Sequence, residues 1–291
     1  MYFCNMNEPI TLGQMIAVVR TRLRDQYPPG EVEGFIKIIF RELLGYETVD
    51  ILLHKDTELP DFIVTKTAKV VDQLRENRPI QYIFGKAWFH GHEFLVDAST
   101  LIPRPETEEL VDLIIDENRG SDLRVLDIGT GSGCIAVSLA LGLRFPTVDA
   151  IDISDRALSV ARDNASRLRA RVNFRRDDIL TAKPDDSRYD IIVSNPPYIA
   201  DSELRSMAAN VVDYEPHSAL FVPDSDPLRF YRAIAEYARR ALAYGGRLYF
   251  EINSRFPDEM RALLLEYGFV DIDIRRDMQG LYRFANATKH E

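Results

Sequence analysis

Val125-Leu126-Asp127-Ile128-Gly129-Thr130-Gly131-Ser132-Gly133-Cys134-Ile135-Ala136-Val137 decides the fold. A short apolar run enters three glycines spaced as GxGxG, and these lead into a nearly all-apolar stretch that continues to Leu143. Strand, glycine loop and buried helix form the opening half of a βαβ unit. Glycine tolerates positive φ and lets the backbone approach a ligand closely. The helix N-terminus behind it offers unpaired N–H groups and a partial positive charge. Gly129, Thr130, Gly131, Ser132 and Gly133 are therefore the first candidates for holding a nucleotide or a carboxylate. A dinucleotide fingerprint would need glycine where Cys134 stands, so the loop is not that motif.

Downstream, strand and helix patterns alternate. Val148–Asp152, Val172–Phe174, Ile191–Val193 and Arg247–Glu251 read as strands. Asp155–Leu168, Leu228–Leu242 and Asp258–Tyr267 read as helices. Val270–Ile274 and Tyr282–Ala285 complete the sheet. Repeated βα units predict a mostly parallel sheet with helices on both faces. Upstream, the periodicity predicts helices: one capped by Thr11, one after the Pro28-Pro29-Gly30 break that ends near Gly45, a short piece at Val49–Leu53, and one opening at Asp61. Between these regions, Ile80–Phe84 and Trp88–Val96 are rich in β-formers and predict a β-hairpin. The expected division is residues 1–78, helical; 79–105, hairpin linker; and 106–291, the α/β domain. A chain of 291 residues has room for it.

Charge and composition exclude several classes. The formal net charge of −10 argues against sequence-independent binding to DNA or RNA, where phosphate neutralisation dominates. The arginines at 162, 167, 169, 171, 175 and 176 are interleaved with Asp163, Asp177 and Asp178 and read as a solvated face. No apolar run is long enough to span a bilayer. Met1–Met6 has neither a basic nor an apolar signal region, which predicts a cytoplasmic location. Cys4 and Cys134 suggest no disulfide framework. His90 and His92 are expected to share a strand face as ordinary residues, and no metal is expected. Cys134, at a helix start, reads as a packing residue rather than a nucleophile.

Asp152 ends the second strand, where a carboxylate can accept from both ribose hydroxyls; the alternative is a helix N-terminal acid. Asp178 and Ile179 follow the third strand, suited to an exocyclic amine and a ring face, or else part of an acidic loop with Asp185 and Asp186. The fourth strand ends in Asn195-Pro196-Pro197-Tyr198. Residues before proline are held extended, and neither proline has an N–H. The Asn195 side-chain oxygen and the Pro196 carbonyl then form an excess of acceptors beside the Tyr198 ring, a place for a planar –NH2. The alternative is a plain Pro-Pro turn with a core tyrosine. Two acceptors on an amide's hydrogens orient its nitrogen toward an electrophilic methyl, for which a sulfonium is the natural donor.

Together these residues resemble S-adenosylmethionine-dependent methyltransferases of the seven-stranded, Rossmann-like class I fold. Leu101-Ile102-Pro103-Arg104-Pro105-Glu106-Thr107-Glu108, Pro79–Gly85 and Asn195-Pro196-Pro197-Tyr198-Ile199 resemble the HemK/PrmC family, the N5-glutamine methyltransferases of class-1 peptide chain release factors. The resemblance implies S-adenosylmethionine contacts at Gly129 to Gly133, Asp152, Asp178, Ile179 and Asn195. It implies glutamine contacts at Asn195, Pro196, Pro197 and Tyr198, with catalysis resting on Asn195, Pro196 and Tyr198. The implied acceptor is the glutamine of the Gly-Gly-Gln loop, with the helical region gripping the release factor, no direct nucleic-acid or membrane partner, and a monomer. Where many relatives have an aromatic beside the adenine, Ile179 or Leu180 stands here. Two rivals remain at this point: an adenine-N6 methyltransferase of DNA or RNA using the same cluster on a flipped base, and a cofactor-binding assembly factor without catalysis.

Overall fold

The computed structural model describes residues 9–184 and 188–290. Cys4, the rest of Met1–Met6, Asp185 and Asp186 lie outside the described residues. The chain divides into two compact units, one ending at Phe84 and one starting at Gly85.

The first unit is helical: α1 (Leu12–Leu23), α2 (Pro29–Leu44), α3 (Thr48–Leu53), α4 (Asp61–Arg75) and α5 (Ile80–Phe84). Thr11 caps α1 in a reciprocal box with Gln14, which satisfies orphan N–H groups at the helix start. The Pro28-Pro29 break lies at the start of α2: Pro29 occupies its first turn, where a missing N–H costs nothing. Gly45 ends α2 with φ 71°. Leu12, Met15, Val19, Ile36, Ile39, Phe40, Ile63 and Val71 make its core.

Ile80–Phe84, expected as a hairpin strand, is the short helix α5. The Pro79 carbonyl accepts from the N–H groups of Tyr82 and Ile83, and Gly85 stops the turn at φ 70°. Ile80 joins the helical core. The hairpin itself is β1 (Lys86–Phe89) against β2 (His92–Leu95), antiparallel. His90 does not share a strand face with His92. It sits in the turn at φ 49°, with its ring 3.0 Å from Asp112.

The second unit continues with α6 (Pro105–Glu117), β3 (Arg124–Ile128), α7 (Cys134–Gly142), β4 (Thr147–Asp152), α8 (Asp155–Leu168), β5 (Val172–Arg176) and β6 (Tyr189–Ser194). Then come β7 (Ile199–Ala200), α9 (Ala209–Tyr214), β8 (Phe221–Val222), α10 (Arg229–Ala241), β9 (Leu242–Glu251), α11 (Pro257–Glu266), β10 (Phe269–Arg276) and β11 (Tyr282–Lys289). The sheet order is β10-β11-β9-β6-β3-β4-β5, parallel except for β11, which runs against both neighbours. This is the seven-stranded class I methyltransferase arrangement. The order in which strands are added reverses between β3 and β6, which stay parallel, so the crevice at their carboxyl ends is the place for a ligand.

Both faces of the sheet are apolar because both are covered. Val125, Val148, Ile191, Val193 and Tyr249 pack with α6, α7 and the hairpin residues Phe89 and Phe94. Leu126, Ile128, Ile192, Leu248 and Phe250 pack with α10 and α11 on the other face. Asn164 of α8, fully buried, joins the hairpin to the glycine loop. Its Oδ1 accepts from the Leu95 N–H at 2.6 Å, and its Nδ2 donates to the Leu95 and Ser132 carbonyls at 2.9 Å each. Asn164→Ala leaves those backbone groups unpaired. It should lower unfolding free energy in urea by about 2–3 kcal/mol, and a change below about 0.5 kcal/mol would show that the tie is dispensable.

Candidate active site

Parallel pairing brings the site residues to one edge. Ile128 is in register with Ile151 on one side and Ser194 on the other, and Ser194 with Phe250. The next residue on each strand is Asp152, Gly129, Asn195 and Glu251. The Ser194 hydroxyl donates to the Ile128 carbonyl at 2.6 Å and locks β6 to β3 at this point.

Gly129, Gly131 and Gly133 have φ of 75°, 55° and 81°. A Cβ at Gly133 would stand 3.0 Å from the Ala161 Cβ, so this glycine permits close packing of the loop on α8. A Cβ at Gly129 or Gly131 would meet nothing within 4 Å, so these two border open space. Gly133 caps α7 without a side-chain hydrogen bond, and the Ala136 N–H in the first turn is directed to the buried Asp127. These features fit a nucleoside-type cofactor lying over the loop.

Asp152 organises the loop. One carboxylate oxygen accepts from the Gly131 N–H and the other from the Ser154 N–H, both at 2.9 Å. The helix-start role weighed against ribose binding is therefore present in half: Asp152 braces the residue that caps α8. Each oxygen retains a second lone pair for a hydroxyl donor. Burial raises its pKa. The Asp177 N–H donates to the Asp152 carbonyl at 3.0 Å and brings the following loop to the same edge. There the Asp178 carboxylate accepts from the Leu180 N–H at 3.0 Å, and Ile179 packs on the apolar core. Three arginines of the basic segment pair with neighbouring carboxylates: Arg167 with Glu93, Arg175 with Asp177 and Arg176 with Asp155. Cys134 is buried and its thiol is pushed up to about 12, as suits a packing residue.

The acceptor cluster has a support that sequence reasoning missed. Asn195 Nδ2 donates to Thr107 Oγ1 at 3.3 Å. Thr107, on α6, donates to Glu251 Oε2 at 2.6 Å. The Tyr198 hydroxyl donates to Glu251 Oε1 at 3.0 Å, and Tyr231 donates to the Glu251 carbonyl at 3.0 Å. Glu251 is 1% exposed, and burial raises its pKa. Asn253 Nδ2 holds the Tyr198 carbonyl at 3.0 Å and Glu203 at 3.1 Å. With Nδ2 engaged, Asn195 Oδ1 is the end of the amide left for a donor. The available signal was positional: Glu251 is a carboxylate at the carboxyl end of an apolar strand. Thr107 showed only as part of the Leu101–Glu108 segment, with no sign of this role.

Arg104 and Glu106, whose roles the sequence leaves open, make their hydrogen bonds outside this cluster, although the Glu106 charge adds to burial in raising the Glu251 pKa. Arg104 pairs at 2.5 Å with Glu215, which is buried and also accepts the Ile102 N–H at 3.2 Å. This fastens the segment before α6 to the segment between β7 and β8. Glu106 accepts from Gln279 at 3.1 Å. Among the described residues, no group of three or more His, Cys, Asp or Glu is placed to hold a metal ion. Among them, no helix is long and apolar enough to cross a membrane.

The fold and the site define a class I, S-adenosylmethionine-dependent methyltransferase. The Methyltransferase small domain family matches residues 107–215, and the PrmC N-terminal domain family matches residues 14–85. A methyltransferase structure from Pyrococcus furiosus superposes with a TM-score of 0.51 at 16% identity, over 77% of this chain and 100% of that one, a likeness of fold. The release factor glutamine methyltransferase of Bacteroides thetaiotaomicron is 46% identical over 96% of this chain and 100% of its own length. That of Flavobacterium psychrophilum is 45% identical over 86% of this chain and 89% of its own. The chain belongs to the release factor glutamine methyltransferase family.

Asp127, fully buried beneath the loop, accepts from the Thr130 hydroxyl at 2.6 Å, while its Oδ1 has no hydrogen-bond partner. Burial pushes its pKa from 3.8 to about 7. Between these values the folded chain keeps a proton that the unfolded chain has released. The stability due to this group is thus full below about pH 4 and is lost as pH rises through about 7, by about 4 kcal/mol at most. Asp127→Asn should flatten the fall of the urea midpoint as pH rises through that window. A pH profile parallel to that of the parent would show that Asp127 ionises as in the unfolded chain.

Proposed function

We propose that this protein transfers the methyl group of S-adenosylmethionine to the side-chain amide nitrogen, N5, of the glutamine in the Gly-Gly-Gln loop of class-1 peptide chain release factors, in the cytoplasm. The observation that carries this reading is the Asn195 amide, whose Nδ2 is engaged by Thr107 and whose Oδ1 is left to accept.

Bound at the glycine loop, S-adenosylmethionine supplies an electrophilic methyl on a positively charged sulfur. Gly129 to Gly133 and the start of α7 would hold its polar end, Asp152 its ribose, and Asp178 and Ile179 its base. Asn195 Oδ1 and the Pro196 carbonyl would accept the two hydrogens of the glutamine amide, with Pro197 and Tyr198 flanking its plane. An amide nitrogen is a poor nucleophile because its lone pair is delocalised into the carbonyl. Two acceptors raise its electron density and aim it at the methyl carbon, and positioning of this kind is worth roughly 7–11 kcal/mol of barrier. Held there, the nitrogen would face the methyl carbon, and the cofactor when bound would supply that carbon and keep the electron pair of the carbon–sulfur bond. The proton made strongly acidic by methylation would pass to water, so no strong base is needed beforehand.

Support for a protein acceptor over a nucleic-acid base comes from the net charge of −10 and from the full-length relatives, named for release factor glutamine. The helical unit carries Leu52, Leu53 and Phe62 exposed, apolar surface of the kind a protein partner covers. The chain is proposed to act as a monomer.

Incubation with release factor and methyl-labelled S-adenosylmethionine should place label on the Gly-Gly-Gln glutamine; label on DNA or RNA instead would overturn the reading. Asn195→Ala should cut kcat by about 10²–10³-fold while leaving cofactor binding partly intact. Unchanged turnover would remove Asn195 from the mechanism.

A further inference from the structure

Asn195 serves as an acceptor only in one of its two amide orientations. Oδ1 and Nδ2 are nearly equal in size and opposite in polarity, so a rotated amide would fit the same space and present a donor to the cleft. What selects the orientation lies outside the Asn195-Pro196-Pro197-Tyr198 motif. The Thr107 hydroxyl has a single hydrogen, and Glu251 Oε2 takes it at 2.6 Å. Thr107 can then only accept from Asn195, and it accepts from Nδ2 at 3.3 Å. The other Glu251 oxygen accepts the Tyr198 hydroxyl at 3.0 Å. Both hydrogens converge on one carboxylate, and an ionised carboxylate is an acceptor at each oxygen.

The contacts of Glu251 are made from four directions. Thr107 reaches it from α6 and Tyr198 from the turn after β6, and Tyr231 of α10 donates to its carbonyl. Beside it on β11, Phe284 is its cross-strand partner. The Thr107 and Tyr198 hydroxyls hold the carboxylate itself and the other two contacts hold the backbone beneath it, so the side chain transmits polarity rather than flexibility. An unpaired carboxylate at 1% exposure would be strongly disfavoured, so the two hydroxyl donors and the carboxylate fix one another.

We propose that Glu251, acting through the Thr107 hydroxyl, is the positioning residue that sets the Asn195 amide as an acceptor. Glu251 touches neither the substrate nor the cofactor in this scheme. It decides the sign of the hydrogen bond that Asn195 offers. The proposal rests on the reading of Asn195 given above, as the group that receives the substrate –NH2.

Three variants test it together with Asn195→Ala. Thr107→Val keeps the shape of the side chain and removes the hydroxyl, Thr107→Ser keeps the hydroxyl, and Glu251→Gln replaces one acceptor oxygen with a donor. Thr107→Val and Glu251→Gln should lower kcat by about 30-fold or more, while KM for the release factor and Kd for S-adenosylmethionine change by less than about 3-fold, because remote contacts carry binding. Thr107→Ser should restore at least about 10-fold of what Thr107→Val loses. In the Asn195→Ala background, Thr107→Val should cost almost nothing more, since the two act as one unit. Equal turnover in Thr107→Ser and Thr107→Val, or additive losses in the double variant, would overturn the positioning role. Full turnover in Asn195→Ala would instead overturn the reading on which it rests, so the two failures are distinct. Thermal melts of each variant identify any that fail to fold, and the Ser-against-Val comparison and the double variant carry the test in that case.

Discussion

The parallel register of β4, β3, β6 and β9 is the constraint on which the site depends. Hydrogen bonding aligns Ile151, Ile128, Ser194 and Phe250 across the sheet, and the chain leaves each strand one residue later. Asp152, Gly129, Asn195 and Glu251 thereby arrive side by side, although they come from distant parts of the sequence. A slip of one residue in any of these pairs would turn that strand's side chains to the opposite face. Two apolar cores, one on each face, resist such a slip, because every second residue of each strand is committed to one of them. Burial of Val125 and Leu126 is thus what keeps the glycine loop opposite the acceptor turn.

The same edge concentrates groups that are costly to bury. Asp127, Glu251 and Glu215 are all nearly inaccessible to water. Glu215 is matched by Arg104 and a backbone N–H, and Glu251 by two hydroxyl donors. Asp127 is matched in part, with one oxygen unpartnered and a pKa near neutrality. Polar groups buried with fixed partners keep their directions. In a site that must meet a flat amide, that preorganisation matters more than strength. The residues behind the site are therefore short side chains with few rotatable bonds: Thr107 links the Asn195 amide to the Glu251 carboxylate, and Ser194 ties its own strand to the Ile128 carbonyl.

Much of this was legible in the sequence, and the reasons are local. The strands of the sheet show as apolar runs, the loop as glycines between a strand and a helix, and Asp152 and Asn195 as polar residues at strand ends. Thr107 and Glu251 were not legible as a pair, because they lie 144 residues apart and meet only when α6 is laid against β9. Ile80–Phe84 was misread because a short apolar run with tyrosine and phenylalanine carries no period that separates strand from helix. Proline before it and a positive-φ glycine after it favour a single helical turn. His90 left its strand because the hairpin turn needed a residue at positive φ. The short pair β7 and β8 was invisible, as two residues are too few to form a pattern.

The hairpin gives the second unit an unexpected starting point. Phe89 and Phe94 lie within the core formed by α6, α7 and the sheet. Asn164 spends three hydrogen bonds on Leu95 and the glycine loop. These strands are structural members of the α/β unit, although they precede its first βα turn by some thirty residues of chain. In a lineage that reshuffles its N-terminal helices, the seam that leaves both cores intact falls between Phe84 and Gly85. A crossover just before Glu106 would strip two phenylalanines from the core and leave the Ser132 carbonyl's partner, Asn164, without its own anchor. The placement of the hairpin thus decides which exchanges of the helical unit a working enzyme can survive.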